Sequence, residues 1–163
     1  MGHTRTMHPF VEHRERVLTG CWTPQHGVQV TSSTLPVPWL AALDRLGHDL
    51  HVRQYGSRIE RIDWAAMYDP DGGAVWLESA VTVEGRNPDG LGGNGYGAQV
   101  DANVDEALVS MADLVQLQVA NAHTAWPWGD DGGFMSPHLV DGVAVWIDRT
   151  GSSTPIGTLD ERR

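Results

Sequence analysis

DPDGGAVWLESAVTVE, residues 69–84, places a glycine-rich turn directly in front of a strand. Asp71-Gly72-Gly73 supplies residues that accept positive φ, which a tight hairpin requires. Before the turn, Ile62, Trp64, Ala66 and Tyr68 alternate with Asp63, Ala65 and Met67. After it, Val75, Leu77, Val81 and Val83 alternate with Trp76, Glu78, Thr82 and Glu84. Period-two alternation on both sides of the turn predicts an antiparallel hairpin with one buried face. Asp69 and Asp71 do not make a calcium loop, because no Glu closes the twelve-residue pattern.

The stretch has an echo at residues 141–149, DGVAVWIDR. Both copies read Asp-Gly-x-Ala-Val-Trp. A helical pattern precedes each copy, which fits either a degenerate duplication or independent use of one turn. The second copy predicts a final hairpin: Leu139–Val140, the Asp141-Gly142 turn, then residues 143–147.

Working outward, residues 17–22 and 28–31 read as two short strands joined through Thr23-Pro24-Gln25-His26-Gly27. Residues 39–46 read as a short helix, with Leu40, Leu43, Trp39 and Leu46 on one face and Gly47 as its stop. Residues 48–55, HDLHVRQY, then read as a strand. On a strand His48 and His51 face opposite sides, so they make a poor metal pair. Residues 104–122 give the strongest helix. Asn103 can cap it, and Asp105 and Glu106 occupy the first turn, where the dipole favours them. Its apolar stripe runs through Val104, Ala107, Leu108, Met111, Leu114, Val115 and Gln118–Val119, leaving Leu117 outside.

Two loops invite functional readings. Residues 85–97, GRNPDGLGGNGYG, could cradle a phosphate, but Gly93, Gly95 and Gly97 lack G-x-G-x-x-G spacing. They also lack the Asp and the tandem copies of a calcium β-roll. A flexible surface loop carrying Tyr96, either mobile or ordered by a partner, is the preferred reading. Residues 123–134 hold Trp126-Pro127-Trp128 followed by Asp130 and Asp131. Exposed tryptophans there would anchor a protein or form a sugar platform; buried ones would cap the core.

Composition excludes more than it assigns. All 11 basic residues are arginine, so lysine chemistry is absent: no P-loop, no Schiff base, no Ser–Lys dyad. A net charge of −10 argues against binding nucleic-acid phosphates directly. The single cysteine, Cys21, rules out an internal disulfide and a Cys-rich zinc site. No apolar run is long enough for a membrane span, and no signal-peptide core opens the chain. A cytoplasmic protein, or a virion component if of phage origin, is expected.

The C-terminal third resembles the ends of certain small uncharacterised actinobacterial proteins. The residues are Trp126-Pro127, Leu139, Asp141-Gly142-Val143-Ala144-Val145-Trp146 and Ile156-Gly157-Thr158-Leu159. Those relatives often carry Cys and His in a zinc-like arrangement there. This chain has no cysteine in that region, so a zinc role is not carried over, and the resemblance implies no known activity.

The expectation is an α+β domain over residues 17–150: a mainly antiparallel sheet packed by one long and one short helix. A flexible arm (1–16, with His3, His8 and His13) and a tail loose apart from Ile156 and Leu159 (151–163) flank it. The expected function is non-enzymatic protein binding or assembly, of inhibitor, immunity or phage-structural type, through Trp126, Trp128, Asp130, Asp131 and Tyr96. A second copy of the chain is one possible partner, and no cofactor and no membrane contact is expected. The alternatives are a metal-dependent hydrolase using His48, His51, His123 and His138 with nearby Asp, and a carbohydrate-binding module using exposed Trp.

Overall fold

The computed structural model describes residues 14–86, 90–93 and 96–161. These form an α+β fold in which every strand pairing is antiparallel. The strands are β1 (Glu15–Thr23), β2 (Gly27–Ser33), β3 (Tyr55–Gly56), β4 (Ile59–Asp69), β5 (Ala74–Val83) and β6 (Ala98–Gln99), then β7 (Thr124–Ala125), β8 (Ser136–Val140), β9 (Val143–Ile147) and β10 (Ser153–Pro155). The helices are α1 (Val37–Asp49) and α2 (Val104–Asn121). A five-stranded sheet runs β2-β1-β4-β5-β6, a three-stranded sheet runs β10-β9-β8, and β3 pairs with β7. β1 begins at Glu15, inside the segment expected as an arm. His3, His8 and His13 lie outside the described residues.

The hairpin of residues 69–84 forms as its turn chemistry requires. Gly73, at φ 76°, donates its N–H to the Asp69 carbonyl at 2.7 Å, and Asp69 Oδ1 accepts from the Asp71 N–H. On its inner face Ile62, Trp64 and Ala66 meet Val75, Leu77, Val81 and Val83, all buried. Each large aliphatic side chain buried this way contributes about 1.5–3 kcal/mol. At the second copy Asp141 and Gly142 both take positive φ, 51° and 80°, as a two-residue hairpin turn demands. Val140 and Val143 then pair across it.

α2 is fixed at its start by a capping box. Asn103 Oδ1 accepts from the Glu106 N–H at 2.9 Å, and Glu106 Oε1 accepts from the Asn103 N–H at 3.1 Å. Its buried stripe is Ala107, Leu108, Met111, Ala112, Leu114, Val115, Gln118 and Val119. β5, α1 and strands β7 to β9 all contact it, so the helix lies at the centre of the core.

α1 departs from the sequence reading. It does not stop at Gly47 but continues to Asp49, and residues 48–55 are not a strand; only Tyr55–Gly56 is extended. Gly47 is present because the helix crosses β2 closely. A Cβ there would collide with Val28 Cγ2, and the Gly47 carbonyl accepts the Trp22 indole N–H at 3.1 Å. The glycine serves helix–sheet approach rather than termination.

The described part of the glycine-rich loop lies along the edge of β5. Ser79 and Gly92 exchange both backbone hydrogen bonds, at 2.9 and 3.1 Å, and Val83 and Arg86 do the same. A Cβ on Gly93 would sit 2.7 Å from the Leu77 carbonyl, and one on Gly97 would strike that of Val75. The glycines let the described part of the loop lie against β5 and cover an otherwise open edge.

The tail is held to the fold through more than its two apolar residues. β10 pairs with β9, Ile156 and Leu159 are buried, and the Gly157 and Leu159 N–H groups donate to Asp49.

Candidate functional site

The two tryptophans of the Trp-Pro-Trp segment part company. Trp126, joined to Pro127 by a cis peptide, has 0% of its surface exposed. Its indole N–H is shared between the carbonyls of Asp49, at 2.9 Å, and Val52, at 3.1 Å. Its ring meets Trp146 edge-on at 5.2 Å. Trp126 is therefore a core residue, and the expectation that it anchors a partner is corrected. The paired Trp126–Trp128 sugar platform is lost with it.

Trp128 lies at the surface and is half-buried. Its backbone N–H donates to the Arg53 carbonyl at 2.9 Å. Its ring stacks on Tyr55, with centroids 4.2 Å apart and planes 11° from parallel. Phe134 meets it edge-on at 6.2 Å. Offset and edge-on pairs of this kind contribute about 0.5–1.5 kcal/mol beyond their area. Tyr55 and Phe134 remain 55% and 49% exposed, so the three rings form a ridge facing solvent.

Arg53 holds the ridge in place. It sits at φ 70° in the left-handed region, with its side chain almost fully enclosed. Its Nη1 donates to Asp130 Oδ1 at 2.7 Å and to the Trp128 carbonyl at 3.3 Å, and its Nε donates to the Asp160 carbonyl at 2.9 Å. One guanidinium thus ties residues 128–130 to the C-terminal segment. Asp130 is a structural partner of Arg53, while Asp131 is exposed.

Phe134 also borders an apolar groove of about 310 Å³, lined by Asp113, Gln116, Leu117, Ala120 and Ser136. Its floor is the α2 flank left outside the core, and Leu117 there is 40% exposed. Gln116 fixes one wall by donating its amide to the carbonyls of Trp126 and Met135. Tyr96, 92% exposed, stands further along the same flank, where its carbonyl accepts the Ser110 hydroxyl at 3.1 Å. Residues 110, 113, 117 and 120 follow helical spacing. Phe134 thus joins the Trp128 ridge to the Leu117 groove, and the Tyr96 carbonyl meets α2 at Ser110.

Among the described residues, His48, His51, His123 and His138 are not grouped into a metal site. His48 Nδ1 lies 2.9 Å from Asp49 Oδ1, and the His51 ring packs 5.1 Å from that of Trp22. His123 follows α2 at φ 70°, and His138 lies on β8. Among the described residues no three His, Cys, Asp or Glu side chains are grouped to hold a metal ion. Cys21 is buried, and no helix of the described residues is long and apolar enough to cross a membrane.

Sequence reasoning missed Tyr55, Phe134 and Arg53. Leu117 carried a signal, since it falls off the α2 stripe. Comparison with protein-family models, curated proteins and solved structures finds no match.

Proposed function

We propose that this protein acts by binding another protein, without catalysis, through the Tyr55–Trp128–Phe134 ridge and the α2 groove beside it. The observation that carries this reading is the three-ring cluster, exposed at both ends yet fixed by Arg53. Rigid aromatic side chains bring large contact area at low entropic cost, and such residues dominate interface energetics. Leu117 extends the apolar area, and Asp113 and Asp131 put negative charge beside it. That combination suits a partner offering an apolar anchor with basic residues around it. An inhibitor or immunity-type protein fits this reading, and so does an assembly component that binds neighbouring subunits.

Site-specific photo-crosslinking tests it. A photoreactive residue at Phe134 in the full chain is expected to yield a discrete protein adduct in cells of origin. The same residue at Thr31, exposed on β2 and away from the ridge, is expected to yield none. Equal labelling from both positions, or none from Phe134, overturns the reading. An adduct with a second copy of the chain selects the assembly form.

A further inference from the structure

The segment between α1 and β4 also lines a polar cavity of about 400 Å³, within the size range of small-molecule sites. Trp22 and Pro24 form one side and Glu161 another, with His51, Arg53 and Arg58 supplied by the segment itself. The frame is built in advance. Gln54 donates its amide to the Leu50 carbonyl at 2.7 Å and accepts the Ile59 N–H at 2.8 Å, closing the segment on itself.

Charge is the unusual feature. The chain carries −10 overall, yet two arginines and a histidine face this cavity against one carboxylate. Arg53 is committed to Asp130 and two carbonyls. Arg58 is exposed and makes no hydrogen bond or ion pair with any described residue, so its planar fork of donors is free. The His51 ring is seated against Trp22 and makes no side-chain hydrogen bond among the described residues, apart from that ring contact.

We infer that this cavity binds a small anion through a carboxylate or phosphate group, held by the Arg58 guanidinium and the His51 ring. Arginine matches the geometry of both groups with two parallel hydrogen bonds. Glu161 repels highly charged ligands most strongly, which favours anions of low charge. The inference goes beyond the protein-binding reading and is independent of it. Phe134 does not line this cavity, so Phe134→Ser leaves anion binding intact while removing partner contact.

The test titrates inorganic phosphate and, separately, succinate into the full chain at constant ionic strength. Arginine side-chain N–H resonances report binding. Saturable shifts at Arg58 are expected with at least one of the two, and which one identifies the group recognised. Arg58→Gln is expected to weaken binding about tenfold or more, since a charge-assisted pair is lost. Arg58→Lys, which keeps the charge without the fork, is expected to fall between. His51→Gln is expected to weaken binding several-fold. Arg86→Gln, at an exposed arginine outside the cavity, is expected to change nothing. Non-saturating shifts with both anions, unchanged affinity in Arg58→Gln, or an equal loss in Arg86→Gln overturns the inference. Arg58 and His51 are both exposed, so unfolding does not mask the result; an unchanged circular dichroism spectrum confirms it.

Discussion

The Trp146 indole N–H donates to Oδ2 of Asp49 at 2.8 Å, joining the end of α1 to the central strand of the smaller sheet. Asp49 is fully buried, and its carboxylate also accepts the N–H groups of Gly157 and Leu159, at 2.7 and 3.0 Å. Its backbone carbonyl receives Trp126. One residue therefore gathers α1, β9, the Trp-Pro segment and the C-terminal segment. Asp49→Ala strands two buried donors, on Trp146 and Leu159, each worth about 1–3 kcal/mol when left unpaired, together with the half-buried Gly157 N–H. The expected loss is roughly 3–5 kcal/mol, a large part of the stability of a typical domain. Urea denaturation measures it, and a loss under about 1 kcal/mol contradicts this role for the carboxylate.

Gly47 and Val28 make a second, sharper case. Alanine exceeds glycine in helix propensity by about 1 kcal/mol, so propensity alone predicts that Gly47→Ala stabilises. The close approach to Val28 predicts the reverse, with a loss of about 1–3 kcal/mol from overpacking. Val28→Ala opens the space, and the double variant is expected to recover most of that loss. A double-mutant cycle with no coupling would show that α1 and β2 are not in the contact described.

Tryptophan fluorescence separates the ridge from the core. Trp22, Trp39, Trp64, Trp126 and Trp146 are fully buried, leaving Trp76 and Trp128 as the partly exposed indoles. Iodide is expected to quench only a minor fraction of the emission. Trp128→Phe should shrink that fraction, whereas Trp126→Phe should leave it and instead lower stability, since a buried indole and two hydrogen bonds are lost. Equal effects from the two substitutions would contradict the division between core and ridge.

These contrasts also show where local sequence carries structural information and where it does not. Both Asp-Gly hairpins were legible because turn chemistry and period-two alternation act within a few residues. The cap at Asn103 and the stripe of α2 were legible for the same reason. Gly47 was misread because its role depends on Val28, a residue on another element. Trp126 and Trp128 flank one proline and look equivalent in sequence. Only the carbonyls of Asp49 and Val52, far away in the chain, draw the first inward. Arg53 gave no signal at all: neither its left-handed backbone nor its three carbonyl and carboxylate partners can be read from HVRQY. Of the proposed surface, Trp128, Tyr96 and Leu117 stand out in the sequence, while Tyr55, Phe134 and Arg53 do not.

The turn from β9 to β10 gives a pH prediction of defined sign. Asp148 Oδ1 accepts the Thr150 hydroxyl at 2.6 Å and the N–H groups of Thr150 and Ser152 at 2.9 and 3.0 Å. The Thr150 hydroxyl is the largest influence holding this carboxyl below its ordinary range; desolvation, the next in size, opposes it, and the N–H groups of Ser152, Thr150 and Gly151 add to the lowering. A folded-state value below the unfolded one means that the charged form favours the fold. The contribution is complete above the unfolded value and disappears as pH falls through the folded value. Asp148→Asn should therefore lower stability modestly near neutral pH, and the gap from wild type should close in acid, as pH falls through the folded value. The effect is small because the group is exposed to solvent. Thr150→Ala, which removes the main cause, should raise the Asp148 titration midpoint measured by carbon-13 NMR. A gap that widens in acid, or a midpoint unmoved by Thr150→Ala, would contradict the hydrogen-bonded turn.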